Sequence, residues 1–229
     1  MTLRLYSGPL SMFGAKAEIA LHEKGIAFEL VMVPFDMARL YQPKHPEVAR
    51  INPKCQVPVL IHDGLEIFDS TQIFEYLEEL QPAPPLWPAD RQARARARLL
   101  EHLSDEVYFP RVVRLMGLQA TPDDPAAVAA RDACAGFYRR MEAALATGGG
   151  DYLAGSYGYA DIAVFMAQLF GARMGAPMTD ETPALLAWRT RMAARPPVRR
   201  VAAAMARYLL SVGRPLPPFL AAIEQADRG

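Results

Sequence analysis

Two turn residues, Asp63 and Gly64, separate the apolar run Val57–Ile61 from a second one, Leu65–Phe68. An Asp-Gly pair in this setting is the strongest short-range hairpin signal, because the tight turn needs residues that accept positive φ. Asp69 follows at once, with Gln72 three residues on, which is the spacing of a capping box. Ile73, Phe74, Leu77 and Leu80 then recur at helical period. Residues 51–80 therefore predict a strand–turn–strand–helix unit. Pro58 heads its first strand, where it has no N–H to give a ladder, so it marks an edge or a special backbone geometry. A cis Val57–Pro58 bond would turn the Val57 N–H and C=O towards a ligand. Asp69-Ser70 opens the helix, where free N–H groups and the macrodipole favour a carboxylate or phosphate. The plainer alternative is that Pro58 ends a loop and Asp69 only caps.

The chain ahead of this unit reads strand, helix, strand: Leu3–Tyr6, then about Met12 to Lys24 with Gly25 placed as its left-handed C-terminal residue, then Phe28–Val33. A helix between two short strands predicts a parallel pair with a right-handed crossover. Phe35 to Arg50 reads as a loop with a short helix. Residues 81–90, QPAPPLWPAD, form a proline-rich break and the expected linker between residues 1–80 and 91–229. Beyond it strand signals vanish and Ala, Leu and Arg dominate, so 91–229 should be all-helical. Helices are expected near 90–118, 125–146, 160–174, 182–194 and 197–211, with Pro110 kinking or splitting the first and Gly148-Gly149-Gly150 closing the second. The tail from Pro215 onward would fold back over the first domain. Arg91, Arg94 and Arg98 share one face, read as solvated or ion-paired, with a subunit contact as the alternative.

Composition excludes several classes. In 229 residues, 52% are hydrophobic, which argues against disorder, and 25 basic residues balance 25 acidic ones, which argues against a nucleic-acid footprint. The start, Met1-Thr2-Leu3-Arg4-Leu5, lacks the apolar core of a signal peptide, and no apolar run approaches the ~18 residues of a membrane span. Cys55 and Cys134 make neither a disulfide framework nor a zinc spacing, so no metal site is expected. The expectation is a soluble, reduced, cytoplasmic protein.

Asn52-Pro53, Gln56-Val57-Pro58-Val59-Leu60, Asp69-Ser70 and Tyr76-Leu77, in this order, resemble the N-terminal domain of cytosolic glutathione transferases. The resemblance implies a thioredoxin-like α/β domain with a mixed sheet in the order βαβ-ββα, followed by an all-α domain. It implies glutathione as co-substrate, a small electrophile as second substrate, and a homodimer. Conjugation needs a thiolate, so a hydrogen-bond donor at a helix N-terminus is required beside the glutathione sulfur. In serine-type members that role falls on the position matched by Ser11, with Ser7 as the alternative; Tyr6 reads as a core or interface aromatic. Ser70 and Asp69 would hold the γ-glutamyl end, Val57 before Pro58 the cysteinyl backbone, and Gln56 the glycyl end. Lys44 and His45 fall slightly off the family's spacing for the glycyl carboxylate. Tyr159-Ala160-Asp161-Ile162-Ala163 resembles the family's buried helix cap, with Gly158 where Ser or Thr is usual.

Ser11-Met12-Phe13-Gly14 offers no cysteine at the helix start, so disulfide exchange there is not available. Cys55, where relatives commonly carry glycine, is either a buried inert thiol or a partner for a mixed disulfide. Tyr108, Arg111 or Leu115, together with Met12, would meet the electrophile; Arg111 or Arg114 in the pocket would favour an anionic or carbonyl-bearing one, but the favoured reading of these arginines is that they face solvent. Two readings follow: a glutathione transferase of serine type, or the same fold kept for binding or regulation without turnover.

Overall fold

The computed structural model describes residues 3–147 and 150–228. Met1 and Thr2, and the Gly148 and Gly149 expected to close the second long helix, lie outside the described residues. Four strands form one mixed sheet in the order β2-β1-β3-β4: β1 Leu3–Ser7, β2 Glu29–Met32, β3 Val59–His62 and β4 Leu65–Phe68. β1 pairs parallel to β2 and antiparallel to β3, and β3 pairs antiparallel to β4. The hairpin turns where the sequence signal lies, with Asp63 at φ 49° and Gly64 at φ 87°. Gly25 takes φ 64° directly behind α1, Met12–Glu23, and α3, Ser70–Leu80, leaves β4 under an Asp69 cap. A short α2, Pro46–Ile51, fills the connection after β2.

Seven further helices follow: α4 Arg91–His102, α5 Phe109–Gly117, α6 Pro125–Thr147, α7 Tyr159–Arg173, α8 Pro183–Ala194, α9 Pro196–Ser211 and α10 Pro218–Arg228. A π-helical turn, Leu103–Tyr108, joins α4 to α5, and the Phe109 N–H reaches back to Ser104 O. Pro110 has no N–H for the next rung, and the widened turn makes room for its ring without ending the helix. Backbone packing divides the chain into two compact units, 1–84 with 196–229, and 85–195. The last two helices thus belong with the sheet; this was expected of the tail from Pro215 onward, which holds α10, but α9 was expected within the helical domain. Among the described residues no helix is long and apolar enough to cross a membrane.

In the second unit the buried Asp161 carboxylate accepts hydrogen bonds from Leu153 N (3.0 Å), Gly158 N (3.1 Å) and Trp188 Nε1 (2.8 Å), while burial pushes its pKa up to about 6. The cap residue is glycine for a steric reason: a Cβ on Gly158 would meet Leu86 O at 2.1 Å. Arg94 donates to the carbonyls of Pro88 and Ala89, and Arg98 lies over the Trp87 ring, so this face of α4 binds its own leader.

In the first unit α1 is buried along most of its length and packs against α3 and α9. Glu18, on its buried side, faces His22 one turn on and Arg200 on α9; burial, only partly offset by Arg200, raises its pKa to about 7. A carboxyl held above its ordinary value favours the folded state below about pH 4.5, and that contribution is lost as pH rises through about 7. Glu18→Gln removes this dependence. Its stability relative to the parent protein, read by urea unfolding, should rise by about 3 kcal/mol in all as pH climbs from below 4 to above 8, with about 2 kcal/mol of that between pH 5 and pH 7, and level off above.

Candidate functional site

Strand register, more than any single helix, gathers the residues of interest. Tyr6 of β1 pairs with Val59 of β3, and Val59 pairs with Phe68 of β4. The end of β1 with Ser7, the start of β3 with Val57-Pro58, and the end of β4 with Asp69 therefore lie side by side at one edge of the sheet. At about 4.8 Å per strand they span roughly 10 Å. Both helices that leave this edge, α1 and α3, start there, so two positive helix ends face the same region.

Ser11 is the N-cap of α1. Its Oγ accepts the Gly14 N–H at 2.9 Å, its own N–H is taken by Gly8 O at 3.0 Å, and the first turn carries no acidic residue. With the oxygen engaged as acceptor, the hydroxyl hydrogen of Ser11, a residue 8% exposed, has no acceptor among the described residues. Ser7 stands differently: it is 1% exposed, and its hydroxyl is buried with no hydrogen-bond partner. It lies beneath the first turn, so close to Gly14 that a Cβ there would come within 2.1 Å of Ser7 Oγ and 3.1 Å of Ser11 Oγ. Gly14 is thus the residue that lets the strand end and the helix start meet, and sequence pattern alone did not single it out.

The loop before Pro58 is built by Asn52, which is buried. Its side chain donates to Gln56 O (2.6 Å) and accepts from Lys54 N (2.9 Å), and its carbonyl takes Cys55 N (2.7 Å). Cys55 sits partly exposed at φ 51°, Gln56 is exposed, and the Val57–Pro58 peptide is cis. Asn52 was legible only as part of a motif, not as the brace it is. On α3, Asp69 takes φ 75°, a region that costs a non-glycine residue about 1–3 kcal/mol. There its carboxylate accepts Thr71 N (3.0 Å) and Gln72 N (3.3 Å), which leaves the Ser70 N–H and hydroxyl outside the cap. His45 packs on Tyr6, with ring centroids 5.2 Å apart, and gives α2 no side-chain cap.

The residues expected to meet an electrophile are less uniform. Tyr108 is buried between Phe137, Tyr138 and the Cα of Gly171, where its hydroxyl bonds that of Tyr138. Leu115 is also buried, whereas Arg111 and Arg114 are exposed. Tyr108 and Leu115 are therefore core residues of the second unit. The helical phase that hides them could not be fixed across a π-turn. Cys134 is buried too, and burial pushes its thiol up to about 11.

Comparison with known proteins agrees with this layout. Residues 5–85 match the family model for the glutathione S-transferase N-terminal domain, and residues 105–196 match that for the C-terminal domain. A stringent starvation protein A homolog of Coxiella burnetii is 34% identical over 47% of this chain and 48% of its own length. Glutathione S-transferase 1 of Dianthus caryophyllus is 43% identical over 41% of each chain. The chain spans about half the length of these curated relatives. Among solved structures, the β-etherase LigF from Sphingobium sp. strain SYK-6 has a TM-score of 0.72 and 30% identity, covering 88% of this chain and 98% of that one.

The Gly14 contact gives a direct test. Gly14→Ala should cost about 1–3 kcal/mol by overpacking, read as a lowered urea midpoint. Adding Ser7→Ala should recover part of that loss, because it removes the 2.1 Å contact and leaves Ser7 Cβ at 3.1 Å.

Proposed function

The chain belongs to the glutathione S-transferase family, and we propose that it activates the thiol of glutathione for attack on a small electrophile. The family binds glutathione as co-substrate, and the residues at the sheet edge fit the tripeptide. Ser70, through its N–H and hydroxyl at the start of α3, takes the γ-glutamyl carboxylate, and Asp69 faces the amino group. The Val57 backbone pairs with the cysteinyl unit beside Pro58, and Gln56 lies towards the glycyl end. Ser11 donates its hydroxyl hydrogen to the sulfur at the positive end of α1. The observation that carries this reading is the Ser11 hydroxyl itself, whose oxygen is held by Gly14 N and whose hydrogen is left to give. A donor in that position favours the thiolate over the thiol, which lowers the thiol pKa. The sulfur then forms a bond to the electrophilic carbon as the leaving group departs with its electron pair.

A homodimer belongs to the same reading. β4 is an edge strand with Leu65 49% and Phe68 37% exposed, an apolar surface suited to cover by a second copy. A cytoplasmic location, where glutathione is abundant, is part of the proposal as well.

The test combines binding and turnover. Titrated glutathione should raise the melting temperature saturably, with about 2.7 kcal/mol of added stability at one hundred times its Kd, and Ser70→Ala should weaken that rise. Ser11→Gly keeps a tolerated N-cap residue at a cost of a few tenths of a kcal/mol. Loss of its hydroxyl should lower kcat with an aryl halide by about a hundredfold. Parent-like turnover in Ser11→Gly would take Ser11 out of the mechanism. A glutathione-induced rise with no turnover of any electrophile would favour the binding-only reading, and no rise at millimolar glutathione would sink both.

A further inference from the structure

The Ser7 hydroxyl has no task in the site described above. Strand alternation puts Tyr6 on the α2 side of the sheet, in a cluster with Val33, Val48 and Val59, and so turns Ser7 to the α1 side. There Ser7 is 1% exposed, and its hydroxyl has no hydrogen-bond partner. Its backbone is held firmly: it pairs with Met32 of β2, and its carbonyl accepts Val33 N at 2.8 Å. Only the side-chain torsion and the hydroxyl rotor are left to move.

Ser11 is its near neighbour across Gly14. A Cβ on Gly14 would lie 2.1 Å from Ser7 Oγ and 3.1 Å from Ser11 Oγ, so the two oxygens flank one point and are separated by no more than those two distances together. Glycine puts only a hydrogen at that point. Ser11 cannot shift to meet Ser7, because its N–H is bound to Gly8 O at 3.0 Å and its carbonyl takes Ala15 N at 2.9 Å. The approach falls to the Ser7 side chain.

The two hydroxyls complement each other. A serine oxygen offers two lone pairs, and on Ser11 the Gly14 N–H occupies one of them at 2.9 Å. The other can accept the Ser7 hydrogen while Ser11 donates its own. Hydrogen bonds in series polarise one another, and the gain is largest where the series ends on a charge and little water intervenes. Both serines are buried, which supplies those surroundings. A negatively charged sulfur at Ser11 would therefore draw on the pair, and a neutral thiol would draw on it far less.

We propose that Ser7 is a positioning residue for the thiolate, its hydroxyl turning to donate to Ser11 Oγ as charge develops on the glutathione sulfur. The inference rests on the transferase reading. Neither serine loses its proton: Ser7 donates to Ser11, Ser11 donates to the sulfur, and the thiol proton passes to solvent. Ser7 does not meet the sulfur itself, because it lies buried beneath the first turn of α1. The seating that leaves its hydroxyl without a partner also keeps it beside the one residue it can serve.

The test compares the parent protein with Ser7→Ala and Ser7→Cys, each saturated with glutathione, and titrates the bound thiol by the ultraviolet absorbance of its thiolate. Ser7→Ala should raise the bound thiol pKa by about half a unit to one unit. Its kcat/KM with an aryl halide should fall about three- to tenfold below that pKa and recover above it. Ser7→Cys keeps the space filled with a weak donor, so it should titrate like Ser7→Ala. Urea unfolding without glutathione should find Ser7→Ala at least as stable as the parent, since the hydroxyl it removes has no partner there. A bound thiol pKa that Ser7→Ala leaves alone overturns the proposal. So does a Ser7→Cys protein that titrates like the parent, because the effect would then belong to packing. The parent separates the two levels: a bound thiol at its free pKa removes the transferase reading and this inference together, whereas a lowered pKa that neither variant moves removes Ser7 alone.

Discussion

The contact between the end of β1 and the first turn of α1 is the constraint on which the candidate site rests. Gly14 has no side chain, and the space beside its Cα is filled by the Ser7 hydroxyl from below and the Ser11 hydroxyl from the side. With the helix seated that low, its next turns are buried through small residues, Ala15, Ala17 and Ala20, which let α1 lie close to its neighbours. The seating also explains a costly detail. Ser7 keeps a buried hydroxyl without a hydrogen-bond partner, a loss of about 1–3 kcal/mol, in exchange for a helix start placed at the sheet edge. Strand register then delivers the cis-proline loop and the α3 start to that edge, so the site is a consequence of sheet topology joined to one glycine.

What could be read from the sequence was what local chemistry decides. Asp63-Gly64 needs two positive φ values, Gly25 ends a helix in the left-handed region, and Asp69 caps the next, and each acts through its immediate neighbours. Asn52 and Tyr41 were not legible as structural parts. Asn52 works by reaching four residues ahead to Gln56 O, and Tyr41 by lying on Gly8, far behind it in the chain. Neither leaves a periodic trace. Tyr108 illustrates the same limit. The π-turn shifts the phase of every residue after Leu103, and only the absence of a side chain at Gly171 reveals that the tyrosine points inward. The departure at Gly158 was visible in the sequence, but its cause is Leu86, seventy-odd residues earlier.

Two buried polar groups of the second unit are fully bonded. Asp161 is fully enclosed yet meets two backbone N–H groups and the Trp188 indole, so its role is to knit the start of α7 to α8 and to the segment before it. Tyr138 likewise donates to Ala176 O while bonding Tyr108, and burial raises both phenols above their ordinary range. These networks are satisfied and therefore rigid. Near the strand ends of the first unit, the Ser11 hydroxyl hydrogen and the Ser70 N–H and hydroxyl are not used by the helix caps, although both serines are buried. Under the transferase reading, these donors at two helix starts are suited to an anionic ligand.

The same packing bears on why a serine at position 11, and no hydroxyl on β1, is the donor under the transferase reading. A side chain at position 7 points under α1 against the Cα of Gly14, where there is room for a serine and no path to solvent. A larger phenol there would have to displace the helix that supplies the positive end. Position 11 differs: it is the first residue past the loop, it is slightly more exposed at 8%, its oxygen is fixed by Gly14 N, and its hydrogen has no acceptor among the described residues. Gly14 thus acts twice, closing one hydroxyl off and orienting the other. Choice of donor, helix placement and the identity of residue 14 are then one packing decision, and a change at any of the three should be felt at the other two.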